Sequence, residues 1–119
     1  MDEAWFTGLA EELAQCLLDA ERCAEVCETL LETVQQSGDA ELRKIVVDAV
    51  VAPAAVARVL IDLIDQPPSL VLAACRLCRE VATTAAEQLT ALGPRLDSAA
   101  TIATLGASAG SCDHLLAVA

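Results

Sequence analysis

Thiols are the side chains of this 119-residue chain with the most chemistry to offer. There are six cysteines, Cys16, Cys23, Cys27, Cys75, Cys78 and Cys112, and one histidine, His114. Soft thiolates select Cu(I), Zn²⁺ or iron–sulfur clusters. Cu(I) accepts two or three sulfurs, so thiols spaced i,i+3 or i,i+4 on one helix can chelate it without a loop. Cys23-Ala-Glu-Val-Cys27 and Cys75-Arg-Leu-Cys78 have those spacings. Zn²⁺ wants a closed tetrahedral set, usually from loops or knuckles. Cys75–Cys78 is a lone CxxC inside a helical pattern, which makes a poor zinc ribbon, and a thioredoxin-type redox site needs a βαβ context that is absent. A single histidine excludes zinc metalloprotease and di-iron bundle sites within this chain. Free cysteine also packs well as a small buried hydrophobe. The pattern alone therefore admits both thiolate metal binding and plain core packing.

Whether the thiols meet depends on the elements that carry them. Ser37-Gly38-Asp39, Asp65-Gln66-Pro67-Pro68 and Gly93-Pro94 are breaks. Gly38 suits a helix C-cap, Asp39 suits an N-cap, and the prolines stop one helix and open the next. The segments predicted are about Asp2–Gln36, Asp39–Ile64, Pro68–Leu92 and Pro94–Val118. Each has a helix period. The stripes are Leu9, Leu13, Cys16, Ala20, Cys23, Cys27, Leu30, Val34 in the first and Leu42, Ile45, Ala49, Ala52, Val56, Val59, Leu63 in the second. The third has Val71, Cys75, Cys78, Ala82, Ala85, Leu89, Leu92. The fourth, more weakly, has Ser98, Ile102, Leu105, Ala109, Cys112, Leu116. No strand pattern is present. The expectation is all-α: one domain over residues 1–119, folded as an antiparallel up-down-up-down four-helix bundle.

Two features disturb that ideal. Pro53 should kink or break the second helix. The run Gly106-Ala-Ser-Ala-Gly-Ser111 is poor helix former, and its small residues permit close helix approach or leave room for a ligand. Val46, Val47, Val50 and Val51 also widen the apolar stripe of the second helix beyond one bundle seam. That excess points to a further buried face, against a second copy or another protein.

Every cysteine falls on the predicted core side. Walking the chain at about 1.5 Å per residue places Cys16, Cys23, Cys75, Cys78 and Cys112 in one slab of the core, with Cys27 about one turn further up. The second helix contributes Val56 and Ala57 there and no thiol.

Composition limits the partners. Lys plus Arg total 7 against 18 Asp plus Glu, a formal net charge of −11. Such a surface is repelled by nucleic-acid phosphates and by anionic membranes. With 55% hydrophobic residues the chain is not a disordered acidic tail. Asp48, Arg58, Asp62 and Pro53 make the apolar stretch 45–64 costly as a membrane span. The opening MDEAWFTGLAEE has no basic n-region, apolar h-region or cleavage site, so a cytoplasmic location with reduced thiols is expected.

The stretches Arg22-Cys-Ala-Glu-Val-Cys27 and Leu72-Ala-Ala-Cys-Arg-Leu-Cys-Arg-Glu-Val81 resemble the cysteine-rich four-helix-bundle copper-storage proteins. Length, four-helix layout and the polar turn at Ser37-Gly38-Asp39 agree. The resemblance implies Cu(I) held in the bundle core, with Cys23, Cys27, Cys75 and Cys78 carried over as ligands. It departs from that family in the second helix, where Val46, Pro53 and Ala57 stand in place of thiols, and in a fourth helix that keeps only Cys112. Sequestration or limited storage is therefore expected rather than high capacity.

The leading expectation is Cu(I) binding by Cys16, Cys23, Cys27, Cys75, Cys78 and Cys112, with a metal ion as the partner. The alternative is a non-catalytic structural or interaction bundle that has lost most of its metal ligands, forming a homodimer or binding a partner through the apolar second helix. No enzyme is expected: His114 lies two residues past Cys112 and faces away from it on a helix, which leaves no nucleophile–base pair. Glu11, Glu12, Asp19, Glu21, Glu25 and Glu28 read as a solvated face.

Overall fold

The computed structural model describes residues 2–119. Each helix begins and ends where local chemistry requires. A short helix α1 (Asp2–Gly8) precedes α2 (Ala10–Gln35). The structure thus divides the first expected segment at Leu9. Helix α2 ends at Gln35 with Gln36 as its C-cap. Gly38 therefore lies two residues beyond the cap it was expected to form. Asp39 caps α3 (Ala40–Leu63) as expected: its carboxylate accepts from the Leu42 N–H at 3.0 Å. Pro67 and Pro68 open α4 (Pro68–Leu92), where a missing N–H costs nothing. Gly93, at φ +56°, ends it. A 3₁₀ turn, Gly93–Arg95, then leads to α5 (Ala99–Val118), which starts later than the sequence suggests.

Four long helices pack in a ring: α2 against α3 and α5, and α4 against α3 and α5. With short connections between successive helices, this is an antiparallel four-helix bundle. Among the described residues there is no strand, and no helix is long and apolar enough to cross a membrane. Arg58–Glu28 links α3 to α2, and Arg79–Asp113 links α4 to α5 at 3.0 Å. Both pairs are exposed and contribute little to stability.

Burial follows the expected stripes in α2 and α4. Leu13, Cys16, Ala20, Cys23, Cys27, Leu30 and Val34 are buried, and so is the whole stripe Val71 to Leu92 of α4. In α3 the expected stripe holds at Leu42 and Ala49, but the core then runs through Val46, Val50, Pro53, Ala54, Ala57 and Leu60, while Val59 is 48% exposed and Ala52 is also outside. Two of the four valines that widened the stripe are therefore core residues. Pro53 does not split the helix. It lies inside a continuous α3 with its ring buried, and the Ala49 carbonyl goes without its usual partner.

In α5 the inner face is Ser98, Thr101, Leu105, Ser108, Cys112 and Leu115; Ile102, Ala109 and Leu116 are only half-buried. The small-residue run works differently from either expectation. Gly106 and Gly110 face solvent, and a Cβ on either would meet nothing within 4 Å. Ser108 alone points into the core, at 1% exposure.

Candidate metal centre

Three helices bring thiols to the bundle axis. In α2, steps of seven and four residues hold Cys16, Cys23 and Cys27 on one inner face. In α4, Cys75 and Cys78 share the inner face, and α5 supplies Cys112. All six are buried and unpaired by disulfides. Helix α3 lines the core with aliphatic side chains.

The tightest grouping is Cys16, Cys75 and Cys112, whose three Sγ atoms lie within 4.8 Å of one another. Each comes from a different helix, so the trio exists only in the folded bundle. Among the described residues, no fourth His, Cys or carboxylate falls within that distance of all three. Cys78 adjoins the trio through Cys112. Its Sγ is also 3.6 Å from the Ser108 hydroxyl. Beyond Ser108 lies Cys23, which neighbours both that hydroxyl and Cys27. Within the expected slab of thiols the trio is the tightest group, and Cys78 neighbours both Cys112 and the Cys23–Cys27 pair.

Proton sharing runs through the same contacts. Hydrogen bonds from Cys112 and Cys16, aided by Arg76, favour the Cys75 thiolate against the opposing effect of burial. Cys78 is lowered by Cys112, again against burial, with help from Ser108. Cys112, crowded by Cys16, Cys75 and Cys78 and buried, is pushed up strongly. Cys16 is favoured as a thiolate by Cys112, but Cys75, burial and the Asp19 charge outweigh this and push it up to about 12. In the upper pair Cys27 is lowered by Cys23, and Cys23 is raised by Cys27 and by burial. The six thiols therefore titrate as an interacting set rather than as independent groups.

A polar clamp borders the trio. The Cys16 thiol donates to the Ser111 carbonyl at 3.1 Å. The Ser111 hydroxyl donates to the Asp19 carboxylate, which also accepts from Gln15 Nε2 at 3.0 Å. Asp19 is only 5% exposed, which corrects its reading as part of the solvated acidic face. It lies three residues after Cys16, and that spacing alone was the sequence signal for an inward carboxylate. Ser108 was equally accessible, four residues before Cys112 on the same face; choosing Ala109 for the stripe concealed it. His114 is exposed whereas Cys112 is buried.

This arrangement of reduced thiols in an all-helical core accords with the comparison of the whole sequence with known families. A model of the copper storage protein family matches residues 9–116. The chain belongs to the copper storage protein family. No curated protein and no solved structure gave a significant individual match. The matched span contains all six cysteines and all of the four long helices except the last two residues of α5. The family is one of storage rather than catalysis, and its name makes copper the metal partner.

Proposed function

We propose that this copper storage family member binds Cu(I) through its core thiolates, for sequestration or limited storage in the cytoplasm. Cys16, Cys75 and Cys112 form the principal site, with Cys78, Cys23 and Cys27 as further ligands. The observation that carries this reading is the approach of three Sγ atoms from three helices to within 4.8 Å. A three-sulfur set suits Cu(I), whereas structural Zn²⁺ usually closes a tetrahedron with a fourth ligand. The ion is cargo. The thiolates supply the charge that neutralises it, and each protonated thiol that becomes a ligand releases a proton. On loading, Cys16 exchanges its bond to the Ser111 carbonyl for one to the metal.

The test is an anaerobic Cu(I) titration of fully reduced protein against a chromophoric chelator, repeated after alkylating the thiols in denaturant and refolding. The expected result is uptake of several ions per chain by the untreated protein and none after alkylation. Failure of the reduced protein to compete with the chelator would overturn the proposal.

A second reading rests on the outer face of α3, where Val51 and Val59 are each 48% exposed. They lie eight residues apart, on one side of the helix. This stripe supports association with a second copy of the chain. Sedimentation of the metal-free protein as a dimer, reverting to monomer in Val51→Lys/Val59→Lys, is the expected result. A monomer at all accessible concentrations would dismiss it.

A further inference from the structure

Among the described residues, Cys16, Cys75 and Cys112 are the only group of three potential ligands whose donor atoms all lie within 4.8 Å of one another. The three sulfurs come from three helices, and each side chain is at most 1% exposed. What such a site holds must also suit the charges around it. Asp19, itself buried, acts on Cys16 and is tied to the same seam through Ser111. Arg76, the cation that acts on Cys75, is exposed. Burial and a neighbouring carboxylate therefore both oppose a complex with net negative charge. A single Cu(I) with three thiolates keeps two negative charges, which only further ions sharing those sulfurs relieve. A divalent ion with three thiolates keeps one. A trivalent centre keeps none. Trivalent arsenic is a soft centre of this kind: it bonds three sulfurs in a pyramid, and a lone pair takes the place of a fourth ligand.

We infer that the Cys16–Cys75–Cys112 trio is a capture site for arsenous acid, the neutral trihydroxide of trivalent arsenic. This goes beyond the copper reading and draws only on the trio's geometry and surroundings. A neutral ligand is not repelled by a chain of net charge −11, as an oxyanion would be. Capture is a condensation. At each sulfur an S–H bond and an As–O bond break, an As–S bond forms, and the hydroxyl leaves with the thiol proton as water. One arsenous acid and three thiols give one arsenic tris-thiolate and three waters; nothing is oxidised or reduced. The product ties α2, α4 and α5 together, and only the folded chain offers the complete set.

The test mixes the reduced chain with sodium arsenite at neutral pH under anaerobic conditions, then adds a small monothiol in excess. Native mass spectrometry is expected to show one arsenic retained per chain, with a mass gain of one arsenic less three hydrogens. Arsenic-edge X-ray absorption should show three sulfurs and no oxygen. Cys16→Ala, Cys75→Ala and Cys112→Ala, each checked for a native melting profile, should bind arsenic through two sulfurs and a retained hydroxyl. Each should release it to the monothiol at least about tenfold faster than wild type, because the third bond is intramolecular. Arsenic held by two sulfurs and an oxygen in wild type, or lost from wild type to the monothiol, would overturn the proposal whether or not the variants fold. So would a three-sulfur sphere kept by any folded variant. Cu(I) uptake without arsenic capture overturns this inference alone; arsenic capture by a chain that fails to compete for Cu(I) overturns the copper reading alone.

Discussion

The Cys16 thiol donates to the Ser111 carbonyl at 3.1 Å, across 95 residues of chain and one residue before Cys112. Together with the Ser111–Asp19 bond it fixes the register of α5 on α2 at the level where Cys16 and Cys112 meet. A slip of α5 by one turn would move Cys112 about 5 Å and dissolve the trio. The clamp thus connects a helix–helix contact to the ligand geometry.

Asp19→Ala removes the carboxylate part of the clamp and leaves the Ser111 hydroxyl without its acceptor. Hydrogen bonds to charged groups contribute roughly 1.5–3 kcal/mol, so a loss of about 2 kcal/mol is expected in denaturant unfolding of the metal-free protein. Asp19→Asn keeps an acceptor and should lose less. If the two variants unfold alike at the wild-type midpoint, the clamp carries no register.

Cys112 touches more of the lower thiols than any other cysteine in the cluster, so its loss should be felt mainly in metal binding. Cys112→Ala removes one buried sulfur, a stability loss of about 1 kcal/mol by apolar burial. It leaves Cys16 and Cys75 as a two-sulfur remnant. The expected outcome is a near-native melting profile with at least one ion fewer in chelator competition. Unaltered loading would exclude Cys112 from the ligand set.

Loading should release protons. Cys16, raised to about 12, carries its proton at neutral pH and must give it up to become a ligand. Apparent Cu(I) affinity should therefore rise with pH, about tenfold per pH unit for each proton displaced. Competition titrations at two pH values one unit apart, with an indicator for released acid, check this. Affinity that falls on raising pH, or stays level without acid release, would refute displacement of thiol protons.

Acid should loosen the entrance of α3 through a separate group. The Leu42 N–H, and then Arg95, hold the Asp39 carboxyl below its usual range. A depressed carboxylate stabilises the fold above its unfolded pKa, and that contribution disappears as pH falls through its folded value. Wild type should therefore lose more melting temperature over the carboxylate range than Asp39→Asn, which can still cap the helix but has no charge to lose. Parallel pH profiles would show that the ionised form makes no contribution.

The fold was largely legible because strong periodicity and hard stops coincide. Helix α4 begins at Pro68 and ends at Leu92 as the prolines and Gly93 indicate, and its stripe is buried without exception. Helix α3 was harder: it is apolar on several sides, so the stripe from Leu42 through Ile45 and Ala49 competed with the one through Val46 and Val50, and packing buried Leu42 and Ala49 together with the latter. Helix α5 erred for the opposite reason. Small residues occur on all its faces, so hydrophobicity gives little direction, and a serine took the core position assigned to Ala109. The presence of the thiols in the core could be read from spacing. The serine among them could not, because its place depends on the rotation of α5, and no apolar pattern announces the burial of Ser108.

The most direct test is copper-edge X-ray absorption on reduced protein loaded anaerobically below its capacity, with Cys16→Ala/Cys75→Ala/Cys112→Ala as the comparison. The account predicts Cu(I) with a sulfur-only coordination sphere in wild type and a weakened or absent copper signal in the triple variant at equal protein concentration. Nitrogen or oxygen ligands around the bound ion, or the same sulfur sphere at full occupancy in the triple variant, would contradict it.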